Sequence, residues 1–309
     1  MPVEHISAKP WTGREDLEDG PSARRLHHLA SDTGKLGLLG FACEAGVIRN
    51  KGRVGAVDGP DAIRDGLSGL SAPKDAGPFV DLGDIRVTGD DLEAGQAELG
   101  HQIAKHLNQF ERLIVFGGGH ETAYGSYLGL SERFPGKRIG IINFDAHLDI
   151  RLSGASGPSS GTPFAQIREH DPDRFDYLCL GVAEESNTAA LFQRASDWGV
   201  GIVTDHTLIS DPNAADAVIQ DMAARSDLLY LTVDIDVLPH YQAPGVSAPA
   251  VRGVPFTTIE HLVATTFSAA KQCPLGLPLC DLVELCPTHD TGGVTARAAA
   301  FLARYLLFR

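Results

Sequence analysis

The sequence predicts an α/β protein built on a mostly parallel β-sheet with helices packed on both faces. From residue 36 onward, short apolar runs alternate with longer segments whose apolar residues recur at helical spacing. The apolar runs have no polar face, which is typical of strands that are covered on both sides. No linker divides the chain and no repeat is visible. We therefore predict a polar surface arm at residues 1–33 and a single domain at residues 34–309.

Eight runs are predicted as strands because each is short and largely apolar. They cover residues 36–41, 79–83, 113–116, 139–144, 177–182, 201–203, 228–233 and 277–285. The long loop 44–59 ends at Pro60, which suits the first turn of a helix. The other helices are predicted from apolar residues three and four positions apart. They cover residues 90–110, 121–133, 164–169, 188–196, 214–225, 257–271 and 291–308.

Length, charge and cysteine content exclude several classes of protein. The 309 residues are 43% hydrophobic and 21% charged, as in a soluble globular protein, and no apolar run approaches the ~20 residues of a membrane helix. The N-terminus lacks the apolar core of a secretory signal. A formal net charge of −14 argues against a nucleic-acid or anionic-membrane partner. Five scattered cysteines without a CxxC pair predict reduced thiols in a cytoplasmic protein.

Polar side chains that suit a divalent metal ion follow three of the predicted strands. They are His120 after strand 113–116, Asp145, His147 and Asp149 after strand 139–144, and Asp234 and Asp236 after strand 228–233. Open α/β sheets bind ligands at the carboxyl ends of their strands, so the topology can bring all six side chains together. Four carboxylates and two imidazoles without a thiolate favour Mn²⁺ over Zn²⁺. The pattern predicts a two-metal site with a shared solvent nucleophile.

Ordinary structural roles remain open for each of these residues. His120 alone could be a core or capping histidine, and Asp234 and Asp236 alone could begin a turn. Only their coincidence at three equivalent strand ends favours a metal site.

The motifs resemble those of the ureohydrolase family, which includes arginase, agmatinase and formimidoylglutamase. The chain carries Gly117-Gly118-Gly119-His120, then Asp145-Ala146-His147-Leu148-Asp149, then Asp234-Ile235-Asp236. The resemblance extends from about residue 36 to the C-terminus and implies a three-layer α/β/α fold with a parallel, eight-stranded sheet. It also implies two Mn²⁺ ions per chain. One would be held by His120, Asp145, Asp149 and Asp234, and the other by Asp145, His147, Asp234 and Asp236.

The resemblance implies two catalytic residues. Asp149 would accept a proton and pass it to the leaving nitrogen, and Glu284 would pair with a cationic guanidinium or formimino group. The metal ions would lower the pKa of a shared water towards neutrality. Glu284 could also be an ordinary surface acid. Cys286 departs from the family, which usually has an Asn-Pro pair at this place.

Several loops are most similar to those of the formimidoylglutamases. Loop 158–164 has no histidine where many guanidine hydrolases carry one, and segments 40–53 and 243–249 are also similar. The implied substrate is N-formimidoyl-L-glutamate, which histidine breakdown supplies and which is hydrolysed to L-glutamate and formamide. Its two carboxylates would need local cations, and Arg suits bidentate carboxylate binding. The residues predicted to bind substrate are Arg49, Arg53, Arg151 and Ser160.

Three other functions remain open at this stage. A guanidine hydrolase of the agmatinase or guanidinobutyrase type would share the metal site and release urea. A homologue without catalysis would bind metal only, and a deacetylase on a related fold would use a single metal. The resemblance also implies a homo-oligomer, either a trimer or a hexamer.

Overall fold

The computed structural model describes residues 2–20 and 22–309, and nine strands of this part of the chain form one sheet. They are β1 (Val3–Ile6), β2 (Leu36–Ala42), β3 (Phe79–Val87), β4 (Arg112–Gly117), β5 (Ile139–Phe144), β6 (Asp176–Val182), β7 (Gly201–Thr204), β8 (Leu228–Asp234) and β9 (Leu279–Val283). Their order in the sheet is β1-β3-β2-β4-β9-β8-β5-β6-β7. Strands β2 to β9 are parallel and β1 is antiparallel to β3. The eight predicted parallel strands are confirmed, and a ninth joins them at one edge.

Ten α-helices of the described residues cover the two faces of the sheet. They are α1 (Ala45–Arg49), α2 (Gly59–Ser68), α3 (Leu92–His106), α4 (Thr122–Arg133), α5 (Pro163–His170), α6 (Ala189–Trp198), α7 (Asp205–Ser210), α8 (Asp216–Arg225), α9 (Phe256–Ala270) and α10 (Val294–Leu307). Helices α3 to α6 pack on one face, and α2 and α7 to α10 pack on the other. The three-layer α/β/α fold is confirmed. None of the described helices is long and apolar enough to cross a membrane.

Strand β4 shows why the amino-acid sequences of the strands are continuous apolar runs. Leu113 and Val115 enter the core on one face, while Ile114 and Phe116 enter the core on the other. All four are fully buried, and burial of each contributes about 1.5–3 kcal/mol. The five cysteines are also buried, and none forms a disulfide.

The predicted N-terminal arm contributes to the sheet. Strand β1 pairs with β3, and Trp11 packs edge-on against Phe79 with ring centroids 5.0 Å apart. Gly83 has a φ of +79°, and a Cβ at this position would lie 2.0 Å from the Ile6 carbonyl oxygen. Glycine therefore permits the close approach of β1 and β3. Met1 and Pro21 of the predicted arm lie outside the described residues.

Four strands that carry the predicted site are consecutive neighbours, in the order β4, β9, β8, β5. Their last residues lie side by side: Phe116 pairs with Leu282, Val283 with Asp234, and Val233 with Phe144. Because the four strands are parallel and end at the same level, the residues that follow them meet at one edge.

Candidate metal centre and active site

One group of four side chains surrounds the imidazole of His120. Its Nδ1 lies 3.2 Å from Asp145 Oδ2, 3.0 Å from Asp149 Oδ2 and 3.2 Å from Asp234 Oδ2. This buried nitrogen makes no hydrogen bond of acceptable geometry within the described structure. A ring nitrogen carries at most one proton, so hydrogen bonding cannot account for three carboxylate oxygens around it. The arrangement matches the donor atoms of a metal ion, which lie within 4.8 Å of one another.

A second group lies beside the first and shares Asp145 with it. His147 Nδ1 is 3.1 Å from Asp236 Oδ2 and 3.5 Å from Asp145 Oδ1. Asp236 Oδ1 is buried without a hydrogen-bond partner among the described residues. The three donor atoms lie within 4.8 Å of one another. Asp234, which the resemblance assigns to both metal ions, meets this criterion in the first group.

The electrostatics of the two groups fit divalent cations. Burial raises the pKa of Asp149, Asp234 and Asp236, and the negative charge of Asp145 raises each of them further. Burial alone would lower the pKa of His120, but the three surrounding carboxylates, of Asp145, Asp149 and Asp234, raise it well above its ordinary value. These shifts show a buried cluster that is short of positive charge, which a divalent ion would supply. The oxygen-rich donor set suits a hard ion such as Mn²⁺.

Several polar residues orient the donors. Thr232 Oγ1 lies 3.1 Å from His120 Nε2, and the Asn143 amide donates to Asp145 Oδ2 at 3.0 Å. Partners of this kind fix the ring and carboxylate orientations of metal ligands. Neither residue was predicted to belong to the site, although each precedes a predicted ligand by two positions on a strand and therefore shares its face.

Glu284 reaches the same edge from β9. Its Oε1 accepts a hydrogen bond from the His120 backbone N–H at 2.8 Å, and its Oε2 accepts one from Ser247 Oγ at 2.6 Å. Burial and the charge of Glu121 raise the pKa of Glu284 to about 8. Glu284 and Asp149 have φ values of +68° and +46°. Such strained backbone costs about 1–3 kcal/mol per residue and concentrates at functional sites.

A cavity of about 160 Å³ opens over the donors. It is lined by Asn50, His147, Asp149, Arg151, Ser160, Ser186, Asn187, Leu191, Asp234, Asp236, Ser247, Ala248 and Glu284. Two of the residues predicted to bind substrate, Arg151 and Ser160, are therefore in the wall. The side chain of Arg151 forms no ion pair within the part of the chain that the structure describes. Asn50, Ser186, Asn187 and Ser247 also line the cavity, and sequence analysis assigned no site role to any of them.

The other two predicted substrate ligands, Arg49 and Arg53, do not line this cavity. The Arg49 guanidinium forms ion pairs with Asp90 at 2.6 Å and Glu93 at 2.8 Å. The Arg53 guanidinium donates to backbone carbonyls of segment 244–247. Their hydrogen bonds leave Arg151 as the cation that the cavity wall offers among the described residues.

Another cluster of possible metal donors lies on the N-terminal arm and comprises Glu15, His27 and His28. His28 Nδ1 accepts a hydrogen bond from the Arg25 backbone N–H at 3.0 Å, so a neutral His28 carries its proton on Nε2. That Nε2 faces Glu15 Oε2 at 3.0 Å. Hydrogen bonding to Glu15 accounts for this cluster, because a protonated nitrogen does not bind a metal ion.

Comparisons with known proteins agree with this geometry. The sequence matches the model of the arginase family over residues 34–308. It is 43% identical to a formimidoylglutamase of Aeromonas hydrophila, covering 98% of each chain, and 41% identical to one of Rhodococcus jostii, covering 96% of this chain and 94% of the relative. The crystal structure of Trypanosoma cruzi formiminoglutamase with Mn²⁺ gives a TM-score of 0.79 at 25% identity, covering 92% of this chain and 97% of that one.

Proposed function

The chain belongs to the arginase family, and on that premise we propose that it hydrolyses N-formimidoyl-L-glutamate to L-glutamate and formamide. The observation that carries this proposal is the cavity itself. It places a buried carboxylate, Glu284, and the guanidinium of Arg151, which has no ion pair among the described residues, in one wall beside the metal donors. A substrate with a cationic formimino end and carboxylates at the other end matches these charges.

The donor groups would hold two manganese ions, one in each group. His120, Asp145, Asp149 and Asp234 form the first group, and Asp145, His147 and Asp236 form the second. Ions at these positions would generate a strong nucleophile from water at neutral pH and polarise the C=N bond of the substrate.

Glu284 binds the protonated formimino group in this proposal. The His120 N–H and the Ser247 hydroxyl each donate to one carboxylate oxygen, so the side chain is fixed before substrate binds. Its pKa of about 8 results from burial, and a cationic substrate group stabilises the charged form again. Orientation of this kind makes a large contribution to catalysis because the reacting carbon is held in place.

Asp149 carries the proton between water and the leaving nitrogen. It lines the cavity beside Glu284, and its side chain keeps 14% of its surface exposed, unlike the fully buried Asp145. The reaction adds water across the C=N bond and then breaks the bond between that carbon and the glutamate nitrogen. The proton that water releases goes to this nitrogen, which leaves as the amine of L-glutamate.

Arg151 and Ser160 bind the carboxylate end of the substrate. Arg151 is exposed at the mouth of the cavity, and Ser160 is buried in its wall with a hydroxyl available to donate. A guanidinium can hold a carboxylate through two parallel hydrogen bonds.

The experiment that tests the proposed function is a turnover assay on the Mn²⁺-loaded chain. Formamide and L-glutamate are measured with N-formimidoyl-L-glutamate, and urea is measured with arginine, agmatine and 4-guanidinobutyrate. We expect turnover of the formimino compound alone and its loss on chelation. Urea from any guanidine compound would instead assign the chain to the guanidine hydrolases, and inactivity with every compound would favour a homologue that only binds metal.

The predicted trimer or hexamer stays a proposal drawn from the resemblance, and the predicted cytoplasmic location stays a proposal drawn from the cysteine content. Light scattering of the purified chain measures the first. A mass of three or six times 32.9 kDa is expected, and a monomer would contradict it.

A further inference from the structure

Three chain segments contact one another next to Glu284. They are residues 53–55, 243–249 and 284–286, and the Arg53 side chain is hydrogen-bonded to the second of them. Its Nη2 donates to the carbonyl oxygens of Pro244, at 3.3 Å, and Val246, and its Nε donates to that of Ser247 at 3.4 Å. The guanidinium therefore holds the backbone of segment 243–249, which we name the serine loop.

The serine loop reaches Glu284 through one hydroxyl. Ser247 Oγ donates to Glu284 Oε2 at 2.6 Å, while the other carboxylate oxygen accepts from the His120 N–H. The left-handed backbone of Glu284, with a φ of +68°, is a conformation that a glutamate rarely adopts without outside support. One of the two hydrogen bonds that orient this carboxylate thus depends on where Arg53 places the serine loop.

Cys286 joins the same three segments. Its thiol donates to the Val54 carbonyl at 3.0 Å, and its backbone N–H donates to the Gly245 carbonyl at 2.8 Å. Gly55 has a φ of +128°, and a Cβ there would lie 2.7 Å from Cys286 Sγ. The buried thiol therefore packs against the segment that carries Arg53. Together with the hydrogen bond to Gly245, it fixes the position of that segment relative to the serine loop.

We infer that Arg53 is a positioning residue for Glu284, acting through the serine loop and Ser247, and that Cys286 supports it. This inference rests on the proposed function, because it assumes that Glu284 binds the cationic end of the substrate.

The surroundings of Arg53 separate this role from carboxylate binding. Its hydrogen bonds go to three backbone carbonyls, it forms no ion pair within the described residues, and it does not line the cavity. These hydrogen bonds use three of the five N–H groups of the guanidinium, so turning it towards a substrate in the cavity would break some of them. Arg151 lines the cavity, and its side chain has no hydrogen bond or ion pair with the residues that the structure describes.

The test is a double-mutant cycle of Arg53→Met and Ser247→Ala on the Mn²⁺-loaded chain. We expect Arg53→Met to lower kcat/KM by roughly tenfold, the size of one lost hydrogen bond, chiefly through kcat. If Arg53 acts only through Ser247, the double variant is no worse than Ser247→Ala alone. Additive losses would overturn the inference. Arg53→Lys, which keeps a donor, is expected to recover part of the activity.

Inhibition by L-glutamate gives a second measurement, because this product carries the carboxylates without the formimino group. Arg53→Met is expected to leave the inhibition constant within about twofold of its original value, as a residue without substrate contact would. Weakening by tenfold or more would show that Arg53 binds a carboxylate. Arg112→Met is the matched control for stability, since Arg112 also donates to two backbone carbonyls, of Leu277 and Leu306, at the far end of β4. It should lower the melting temperature and leave kcat unchanged.

Cys286 supplies variants that do not remove a charge. Cys286→Ser keeps a donor for the Val54 carbonyl and should retain kcat, whereas Cys286→Ala should lower it. Equal activity of the two would contradict the supporting role. The double-mutant cycle is run with whichever compound the unsubstituted chain hydrolyses. The turnover assay on the unsubstituted chain therefore tests the proposed substrate before, and independently of, the role of Arg53.

Discussion

At the scale of single residues, the proposed function assigns recognition of the reacting group to Glu284. It is only 3% exposed, and its neighbour Glu121 is fully buried and adds negative charge. Both of its oxygens already accept a hydrogen bond from the protein, so the side chain is oriented for a cation and not for a neutral group.

We predict that Glu284→Gln lowers kcat/KM by roughly a hundredfold or more, a typical cost of losing one electrostatic partner of a transition state. The amide oxygen can still accept one of the two hydrogen bonds, so the variant should fold. The measurement is steady-state kinetics together with the melting temperature. Glu169→Gln, an exposed acid on α5, is the control and should leave both unchanged. A Glu284→Gln variant with full activity would remove Glu284 from the mechanism.

Loss of Arg151 should affect the kinetics differently, because Arg151 is an exposed residue of the cavity lining whereas Glu284 is buried. We predict that Arg151→Met raises KM by roughly 10–100-fold, the value of a charge-assisted hydrogen bond, and changes kcat by much less. Lys51→Met provides the comparison, since Lys51 is an exposed loop cation that does not line the cavity. The assignment of carboxylate binding to Arg151 fails if both variants behave alike.

At the scale of elements, a buried ion cluster fastens α2 to β3. Arg64 donates to Asp81 at 2.8 Å and to Asp84 at 2.6 Å, and the three side chains are 8%, 4% and 8% exposed. A Cβ on Gly40 would lie 1.7 Å from Asp84 Oδ1, so strand β2 must carry glycine where it passes the cluster. Loop 44–59, which leads into α2, borders the active site.

We predict that Arg64→Met lowers the free energy of unfolding by about 3–5 kcal/mol, because it leaves two buried carboxylates without a cation. Lys9→Met removes an exposed ion pair, that with Asp61 at 2.7 Å, and should cost no more than about 1 kcal/mol. Urea unfolding measures both. Equal costs would mean that burial does not set the strength of these ion pairs.

At the scale of the whole molecule, the eight parallel strands were predictable because a strand covered on both faces is a short, continuous apolar run, which the polar loops of this chain do not contain. The ligand set was predictable because parallel strands place their carboxyl ends together. Strand β1 was not predicted, since Val3–Ile6 is a four-residue edge strand with two exposed positions in its centre. Helices α1 and α7 are likewise too short, at five and six residues, to show a helical period.

The sequence could not show which groups form ion pairs or hydrogen bonds with each arginine. Arg49, Arg53 and Arg151 all fall in predicted loops, and nothing in the neighbouring sequence distinguishes them. Only the fold reveals that Asp90 and Glu93 neutralise Arg49 and that backbone carbonyls far along the chain occupy Arg53. A tertiary contact decides which cation remains available, and one sequence without an alignment carries little information about such contacts.

Metal binding should be visible in the stability of the whole chain, independently of turnover. The buried carboxylates of the two groups repel one another, so the metal-free chain is destabilised at its centre. An ion that binds only the folded chain stabilises it by about 2.7 kcal/mol at a hundred times its dissociation constant. We therefore predict that Mn²⁺ raises the melting temperature, with saturation, and that chelation reverses the rise. Scanning fluorimetry during a Mn²⁺ titration measures this.

The variant Asp234→Asn tests whether the Mn²⁺ effect on the melting temperature comes from the predicted metal site. It removes one of the repelling charges and one metal donor, so its two effects have opposite signs. The metal-free variant should melt at or above the temperature of the metal-free unsubstituted chain, and its response to Mn²⁺ should be weaker. Asp75→Asn, an exposed change, should alter neither. If Asp234→Asn keeps the full Mn²⁺ response, the ion binds elsewhere; if it melts lower without metal, the carboxylate has a structural role that repulsion does not explain.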